Sequence, residues 1–595
     1  MSLFRQLLIA KSQEKKKPYY CEVEYLESTG AQYIDIGIKP IISNTVTPVI
    51  KIVHQFNTLD TCRIFGATDN SKYFQFFNNA TGSDGFGIQL FNTAGNYTKF
   101  TLDTDKHVYE ISTASSIAKQ DDTKQSLNFS QGSLDYNLYL FARNAKDSAT
   151  NYMKGKIFYF EYDDGVQHRQ FIPVLDWNMK PCLYDKVSGQ LFYNKGTGEF
   201  LYGRQIHPVE YLESTGTQYI DTGIVPTSSM NAKIDFYTPS TAPGTEQHIL
   251  GAMGGDGAQN GSRYQFLGVI MRNYNMWRTA YGQFESNYNN WGTAIYNKKL
   301  HFDITLQNGI STVYINNSTT PDWTLTRETY VTTPSSIYMF ALNNGGEPIL
   351  YSTCRIYSCS ISHNGTLLRD YIPAVDQTGK AFFFDRVTHT IYDNAGSGES
   401  FKYPPVELEY LESTGTQYID TGVLPSEDLR TKVVQAFTGT TIVRNSSILG
   451  SNVNGANNRY WINYDNNFEI GYGGYLKTNV VVQLNEVNTI DFNYIKEDSN
   501  HYFSFNGTEF TSRGTPNTQY SIILFGHIVE TQTPILAAQK IYKVEFIRNN
   551  VRIGDFIPCY KDGQSGMWDK VKEVFYPNLG TNNFVCGPVK EPEYE

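Results

Sequence analysis

Long apolar runs, strong charge and dense basic segments are all scarce in this 595-residue sequence. No stretch is long and apolar enough to span a membrane as a helix. The formal charge is −10, and the only dense basic run is Lys15-Lys16-Lys17. Binding to nucleic acid by neutralising phosphates needs a surface of the opposite sign. We therefore expect neither membrane insertion nor a nucleic-acid partner.

Cysteine and histidine are few, and their spacing does not suit metal ligands or nucleophiles. The seven cysteines share no position between different parts of the chain and form no CxxC pair. This argues against a disulfide framework and predicts folding in a reducing compartment. The ten histidines show no ligand spacing, and no GxSxG, HExxH, P-loop or EF-hand pattern occurs. We expect no metal or other cofactor and no catalytic role.

The sequence does contain a long phrase that occurs three times. It begins Glu-Tyr-Leu-Glu-Ser-Thr-Gly and covers residues 24–40, 210–226 and 409–425. The copies lie roughly 190 residues apart, which is enough chain for each to fold as a domain. The end of each copy also recurs, as an Ile-Pro pair, an Asp-Lys/Arg-Val turn and a tail with an aromatic residue, Asn and Gly. We predict a leader at residues 1–20 and three copies of one domain at 21–204, 205–403 and 404–595.

The local signals in each copy are those of β-strands. Residues 32–36 alternate, which places Ile34 and Ile36 on one face of a strand. Turn residues at 163–165, 364–365 and 549–550 separate β-branched and aromatic runs, which predicts a hairpin in each copy. The apolar runs 138–142, 337–341 and 522–526 each predict one buried strand. Many short strands without a helical period predict an all-β protein built from jelly-roll sandwiches.

The head phrase, the hairpin and the tail together resemble a known family. Across residues 21–590 they are similar to the laminin-G-like, concanavalin A-like jelly-roll domains of tailed-bacteriophage structural proteins. The resemblance implies two stacked antiparallel sheets and a place in a virion fibre, tail appendage or capsid decoration, often with glycan binding. It transfers no binding site. Domains of this type often hold calcium at a rim, but no acidic loop matches across the three copies, so calcium is without support.

The recurring carboxylates raise the question of an enzyme. Glu24, Glu27 and Asp35 have counterparts in both other copies, and a pair of such acids could cleave a glycosidic bond. They lie within a phrase that is repeated in full, as a fold-defining element is. We therefore favour bonds to turn amides, or to the Lys and Arg of the tail. A glycan hydrolase is the least favoured alternative.

The middles of the copies differ, which makes them the candidates for recognition. Each continues from a shared strand end, such as Ile64-Phe65-Gly66, into an aromatic strand. Sugar rings stack their apolar faces on aromatic planes while amides and carboxylates hold the hydroxyls. Alternation sends about half of such side chains into the core. The candidates for glycan contact are Tyr73, Phe77, Tyr264, Trp277, Tyr460, Trp461 and Tyr464.

The leader places four apolar residues on one face of a short helix: Leu3, Phe4, Leu7 and Leu8. Positive charge follows the apolar run, the reverse of a secretory signal, so we interpret the leader as an anchor to other virion proteins. A disordered tail is the alternative. We expect a non-enzymatic virion protein, assembled in the host cytoplasm and exposed on the particle, which displays three lectin-like domains and is able to form homo-oligomers. The alternatives are a spacer without ligand and a bacterial surface adhesin.

Overall fold

The structure is a computed structural model. It describes residues 17–79, 85–93, 95–238, 246–254, 263–272, 276–284, 290–293, 297–326, 333–442, 446–452, 459–464, 467–495, 500–512, 514–516, 519–529, 534–561 and 563–590. Among these, residues 263–293 and 512 are described by their backbone only. The described residues form strands, turns and loops, and no helix among them is long and apolar enough to cross a bilayer.

The strands of the first copy run from β1 to β21. They are β1 (Tyr19–Val23), β2 (Leu26–Thr29), β3 (Ile34–Asp35), β4 (Ile41–Ile42), β5 (Val49–Phe56), β6 (Cys62–Thr68), β7 (Tyr73–Asn78), β8 (Phe86–Leu90), β9 (Thr98–Lys99), β10 (His107–Ser112), β11 (Ile117–Gln120), β12 (Thr123–Ser126), β13 (Gly132–Ser133), β14 (Tyr139–Leu140), β15 (Arg143–Ala145), β16 (Ser148–Thr150), β17 (Lys154–Asp163), β18 (His168–Asp176), β19 (Pro181–Asp185), β20 (Gln190–Phe192) and β21 (Leu201–Tyr202).

The strands of the second copy run from β22 to β39. They are β22 (Gln205–Pro208), β23 (Leu212–Glu213), β24 (Ile220–Asp221), β25 (Ser229–Tyr237), β26 (Gln247–Gly254), β27 (Arg263–Arg272), β28 (Met276–Phe284), β29 (Asn290–Thr293), β30 (Lys299–Gln307), β31 (Ile310–Ile315), β32 (Trp323–Thr326), β33 (Tyr338–Met339), β34 (Leu342–Asn344), β35 (Glu347–Ile349), β36 (Arg355–His363), β37 (Thr366–Val375), β38 (Ala381–Asp385) and β39 (Thr390–Asp393).

The strands of the third copy run from β40 to β57. They are β40 (Val406–Glu407), β41 (Leu411–Thr414), β42 (Ile419–Asp420), β43 (Leu429–Phe437), β44 (Ser446–Asn452), β45 (Arg459–Tyr464), β46 (Phe468–Lys477), β47 (Asn488–Ile495), β48 (His501–Phe505), β49 (Thr508–Ser512), β50 (Ile523–Leu524), β51 (Gly526–His527), β52 (Ile535–Leu536), β53 (Ala538–Arg548), β54 (Val551–Lys561), β55 (Gln564–Asp569), β56 (Val574–Pro577) and β57 (Val585–Cys586).

Every copy has a front sheet with the same antiparallel strand order. The order is β12-β11-β10-β5-β17-β18-β19-β20 in the first copy. The second copy has β32-β31-β30-β25-β36-β37-β38-β39. The third has β49-β48-β47-β43-β53-β54-β55-β56.

A back sheet packs against each front sheet. It is built around β6-β7-β8, β26-β27-β28 and β44-β45-β46. In the first copy, Phe65 of the back sheet contacts Phe160 of the front sheet with ring centres 5.5 Å apart, inside one apolar core. In the third copy, Tyr460 of the back sheet contacts Phe492 of the front sheet with ring centres 4.7 Å apart. The predicted all-β class, with tandem jelly-roll sandwiches, is confirmed.

The predicted hairpins are present, but the predicted buried strand near residue 140 is interrupted. The hairpins are β17–β18, β36–β37 and β53–β54. Strand β14 stops at Leu140 because Phe141 takes a φ of 63°, and Phe340 and Phe525 take 67° and 68° in the other copies. The kink lets the chain pair with β6 in antiparallel fashion at Tyr139 and in parallel fashion at Asn144. The burial of these runs was predicted, and their single-strand form was wrong.

The chain divides into two compact units, one ending at Tyr403 and one beginning at Pro404. The first unit holds the first two sequence copies, and β22 joins their front sheets into one sheet of 21 strands. Strand β22 pairs with β1 at Ile206 and with β37 at His207. The boundary predicted between residues 204 and 205 therefore lies inside one unit. Strand β1 begins at Tyr19, within the segment predicted as leader.

Candidate functional site

The recurring head phrase forms a closed turn. The side-chain oxygen of Gln32 accepts hydrogen bonds from the Thr29 amide at 2.8 Å and the Ser28 hydroxyl at 3.1 Å. Gln218 and Gln417 accept the same bonds in the other copies. The glutamine and its serine are buried in every copy. Ser, Thr and Gln thus recur because together they satisfy the polar groups of a buried turn.

The recurring tail is tied to that turn. Asn194 Oδ1 accepts hydrogen bonds from the Tyr33 amide at 3.1 Å and the Gly196 amide at 2.8 Å. Asn394 and Asn578 bridge the equivalent amides in the second and third copies. Head and tail therefore recur together because each satisfies backbone groups of the other.

The recurring aspartates hold turns. Asp35 Oδ1 accepts a hydrogen bond from the Gly37 amide at 2.9 Å, and Asp221 and Asp420 repeat this bond. The aspartate of the Asp-Lys/Arg-Val segment, fully buried in every copy, accepts bonds from two backbone amides. For Asp185 these are the amides of Gln170 and Val187, and Asp385 and Asp569 bind the equivalent pairs.

The recurring glutamates pair with the front sheet rather than with the tail. Glu213 accepts a hydrogen bond from Arg355 at 2.6 Å, and Glu412 lies 3.7 Å from Lys540. In the first copy Glu27 accepts a bond from Asn57 at 2.6 Å. The expected partner in the tail was therefore wrong for these glutamates, although the carboxylates are engaged in structural contacts.

One predicted glycan-contact residue lies in the core. Tyr460 is fully buried, and its hydroxyl is 2.7 Å from the Thr431 hydroxyl. Successive residues of a strand point to opposite faces, so the adjacent Tyr460 and Trp461 could not both face outward. Tyr460 has no ring face to offer a ligand, which corrects the prediction for that residue.

The outer face of the back sheet carries three of the other candidates. Tyr73 is partly exposed, whereas Phe77 and Trp461 are 3% and 6% exposed beneath neighbouring side chains. Tyr464 packs at the edge of the core, 6.0 Å from Phe437. The side chains of Tyr264 and Trp277 lie outside the described residues, and so does the whole predicted anchor of Leu3, Phe4, Leu7 and Leu8.

The outer face of the first copy bears a polar row that the sequence analysis missed. Gln89 donates to the backbone oxygen of Asn92 at 3.1 Å, and Gln75 donates to Gln89 Oε1 at 2.9 Å. Gln75 Oε1 in turn accepts from Arg63 Nε at 2.9 Å and from Arg143 Nη1 at 3.5 Å. The available signal was alternation within β7, where Gln75 and Phe77 interleave with the core residues Phe74 and Phe76.

Aromatic rings border this polar row. The Arg63 guanidinium lies 5.3 Å from the centre of the Phe77 ring, and the Arg143 guanidinium lies 5.8 Å from that of Tyr73. The ring of Tyr97 meets the Phe77 ring edge-on at 4.9 Å. The face combines cations, amides and aromatic surface, which are the groups that bind polar ligands with apolar faces.

The third copy presents different chemistry at the same place. Trp461 pairs with Gly450 as Gln75 pairs with Gly66, so the tryptophan replaces the glutamine. The Trp461 ring lies parallel to that of His527 at 6.2 Å, and the nearby Glu469 accepts a hydrogen bond from the Tyr475 hydroxyl at 2.7 Å. Burial lowers the pKa of His527 to about 4, so this ring is neutral at physiological pH.

The second copy differs again where its side chains are described. His248 occupies the strand position equivalent to Arg63, and Leu342 occupies the position equivalent to Arg143. Both side chains are buried. The arginine pair is therefore particular to the first copy.

The described residues contain no group of three or more His, Cys, Asp or Glu side chains that could hold a metal ion. All seven cysteines are free thiols, and six of them are buried.

Comparisons with known proteins give only distant similarities. No protein-family model and no curated protein matches the chain. The LG1–3 region of the laminin α2 chain is 9% identical, with 95% of this chain and 100% of that chain covered and a TM-score of 0.26. Domains LG4–5 of the mouse laminin α1 chain are 9% identical, with 64% and 95% covered and a TM-score of 0.24. The NanB sialidase from Streptococcus pneumoniae is 10% identical, with 94% and 99% covered and a TM-score of 0.16.

Proposed function

We propose that this chain is a non-enzymatic, multivalent glycan-binding protein of a tailed-phage virion. The observation that carries the proposal is the contrast between scaffold and outer face. Residues that recur in all copies are engaged in turns, in contacts between head and tail, and in contacts of the glutamates with the front sheet. At one place on the back sheet, by contrast, the first copy carries Arg63, Gln75 and Arg143 and the third carries Trp461, Glu469 and His527. A common scaffold with unlike surfaces suits recognition of different ligands.

The chemistry of these faces favours sugars. Each combines aromatic rings with amides or charged groups, which matches the apolar faces and hydroxyls of saccharides. A single shallow site of millimolar affinity contributes only about −4 kcal/mol. Several sites on one chain, multiplied by homo-oligomers, raise the avidity on the order of 10²–10⁴ without new contacts.

The location on a virion rests on the resemblance of the head phrase, the hairpin and the tail to phage structural domains. In this proposal residues 1–20 attach the chain to other virion proteins, and the β-sandwiches face outward. Deleting residues 1–16, which leaves β1 intact, should abolish incorporation into particles, measured by mass spectrometry of purified virions, while purified deletion protein keeps its glycan binding.

A glycan array with the full chain tests the ligand class. We expect binding to a defined subset of glycans without release of reducing sugar. Tyr475 is 50% exposed on the outer face of the third copy and should contribute to the glycan binding of that copy. Tyr475→Ala should weaken the affinity for glycans bound by the third copy by about three- to tenfold, since aromatic contacts contribute about 0.5–1.5 kcal/mol.

The matched control is Tyr202→Ala, because Tyr202 is 39% exposed and lies away from the back sheet, on β21. This variant should bind as the native chain does. A blank array for the full chain would contradict the proposal and favour a spacer without ligand.

A further inference from the structure

Two guanidinium groups in the first copy share one neutral acceptor. Arg63 Nε and Arg143 Nη1 both point to Gln75 Oε1, at 2.9 and 3.5 Å. Arg63 is 8% exposed and Arg143 is half-buried, so both charges have lost much of their water. Bringing two like charges together at a desolvated place is unfavourable unless an anion compensates them.

The described residues supply no such anion. Two other half-buried arginines have carboxylate partners: Arg204 lies 2.8 Å from Asp376, and Arg430 lies 2.8 Å from Asp491. Arg63 and Arg143 form no ion pair with any described carboxylate. Burial, followed by the neighbouring charge of Arg143, lowers the pKa of Arg63 to about 10, so Arg63 remains cationic at neutral pH. Burial also lowers the pKa of Arg143, but an arginine side chain keeps its charge in proteins.

Donor groups remain unused at this place. Arg63 Nη1 donates to the backbone oxygen of Cys62 at 2.8 Å, whereas its Nη2 donates to no described residue. Arg143 Nε is buried and makes no hydrogen bond with a described residue. These donors and the Nη2 of Arg143 belong to planar groups of the kind that bind carboxylates through two parallel hydrogen bonds.

The surroundings hold the acceptor in position. The chain of amides from Asn92 through Gln89 to Gln75 fixes which end of Gln75 faces the arginines. The absence of a side chain on Gly66 leaves room for Gln75 and Arg143. A Cβ at Gly66 would lie 2.9 Å from Gln75 Cβ and 3.4 Å from Arg143 Cγ. The site is thus formed before a ligand arrives, which lowers the entropy lost on binding.

We propose that Arg63 and Arg143 form a site for the carboxylate of an acidic sugar of the uronic- or sialic-acid type. The partly exposed rings of Tyr73 and Tyr97 flank the arginines and offer surface to the sugar ring. The inference rests on the proposed glycan binding and names the ligand class of the first copy. The third copy lacks the site, because Ser447 and the neutral His527 take the places of the arginines.

The test measures binding of the full chain to sialyllactose, digalacturonic acid and lactose by array and calorimetry. We expect the acidic sugars to bind, with affinity that falls as salt is raised. Arg143→Gln should weaken them by about ten- to a hundredfold, as expected for a lost hydrogen bond to a charged group. Arg143→Lys keeps the charge and loses the planar fork, so its affinity for acidic sugars should lie between those of the native chain and of Arg143→Gln.

The matched control is Arg386→Gln, which removes a guanidinium that is 48% exposed in the second copy. This variant should bind acidic sugars normally. The Arg143 variants should fold, since among the described residues they lose one side-chain hydrogen bond, that of 3.5 Å to Gln75; unchanged melting temperatures would verify this. If Arg143→Gln destabilised the fold, the Arg143→Lys affinity would decide.

The outcomes separate this inference from the proposed function. Binding of neutral sugars with refusal of acidic ones would overturn the inference and leave the proposed function intact. Acidic-sugar affinities unchanged in Arg143→Gln, or polyglutamate binding as tight as sugar binding, would overturn it as well. No binding to any glycan would overturn both.

Discussion

At one position of the front sheet, the copies bury three different side chains. His54, Phe236 and Gln435 lie opposite equivalent isoleucines of β17, β36 and β53. The His54 ring stacks on Tyr109 at 5.0 Å, and neither of its nitrogens has a hydrogen-bond partner in the described structure. Burial lowers the pKa of His54 to about 3 from an ordinary 6.5. The histidine is thus a neutral core residue, as phenylalanine is in the second copy.

His54 should make the first copy sensitive to acid. The unfolded chain takes up a proton below pH 6.5 and the folded chain only below about pH 3. The contribution of His54 to the free energy of unfolding is therefore fully present above pH 6.5. It decreases by about 1.4 kcal/mol for each unit that the pH drops between 6.5 and about 3. His54→Phe should remove that dependence. Its gain in melting temperature over the native chain should be larger near about pH 5 than near about pH 7.

A control variant is Phe56→Leu, since Phe56 is buried in the same strand and carries no titratable group. It should shift the melting temperature equally at both pH values. The same gain for His54→Phe at both values would refute the role given to His54.

Individual residues show what the sequence could and could not predict. The aspartates that recur in all copies at Asp35, Asp221 and Asp420 were predicted as structural, because an acid within a fully repeated turn phrase has backbone amides to bond. The direction of each aromatic ring was not predictable. Bulges between Arg63 and Phe65, and between Ser447 and Leu449, shift the strand registers. The arginine pair was missed because Arg63 and Arg143 are far apart in sequence and meet only through the parallel pairing of β15 with β6.

At the scale of elements, the contact between tail and head stabilises each copy. In the third copy the tail passes so close to the head that a Cβ on Gly580 would clash with the carbonyl oxygen of Thr416. The same approach recurs at Gly196 and Gly396. Gly580→Ala should therefore lower the free energy of unfolding by about 1–3 kcal/mol through overpacking.

Gly474→Ala is the matched control, because a Cβ at Gly474 has no neighbour within 4 Å. Chemical denaturation of both variants measures the difference. Equal stability of the two would show that the tail can move away from the head at little cost.

The kink after β14 shows where pattern reasoning fails at this scale. Phe141 adopts a left-handed backbone that costs a residue with a side chain about 1–2 kcal/mol. Its ring packs on Phe200 of the tail at 4.8 Å, and Phe340 and Phe525 pack on Phe401 and Phe584. Tertiary packing thus holds a conformation that local sequence disfavours. Hairpin turns were predictable because Asn and Gly adopt positive φ by themselves.

At the scale of the whole first unit, two copies form one body through more than their shared sheet. Lys106 Nζ donates to the backbone oxygen of His389 at 2.6 Å, and the His389 ring stacks on Tyr159 at 4.4 Å. Arg204 bonds Asp376 and Asp393 of the second copy. Burial lowers the pKa of Lys106 to about 7. These contacts cover a face that the first copy alone would expose, so the first two sandwiches pack together as one compact unit.

Strand β22 is the covalent and hydrogen-bonded part of this junction. Its Ile206 pairs with Glu22, and its His207 pairs with Val375. The equivalent of Ile206 between the second and third copies is Pro405, which has no amide hydrogen to donate. The chain itself therefore shows that proline is acceptable at this point of the linker sequence.

Ile206→Pro should loosen the first unit at its junction. Proline removes one ladder hydrogen bond, which contributes about 1 kcal/mol, so hydrogen exchange of peptides from β1 and β37 should accelerate severalfold in the full chain. Ile206→Ala removes more of the buried side chain and keeps the amide, and it should accelerate β1 less than proline does. If the alanine variant exchanged faster in β1, side-chain burial rather than the shared ladder would hold the two copies together. Unchanged exchange in both variants would mean that the Lys106 and His389 contacts suffice without β22.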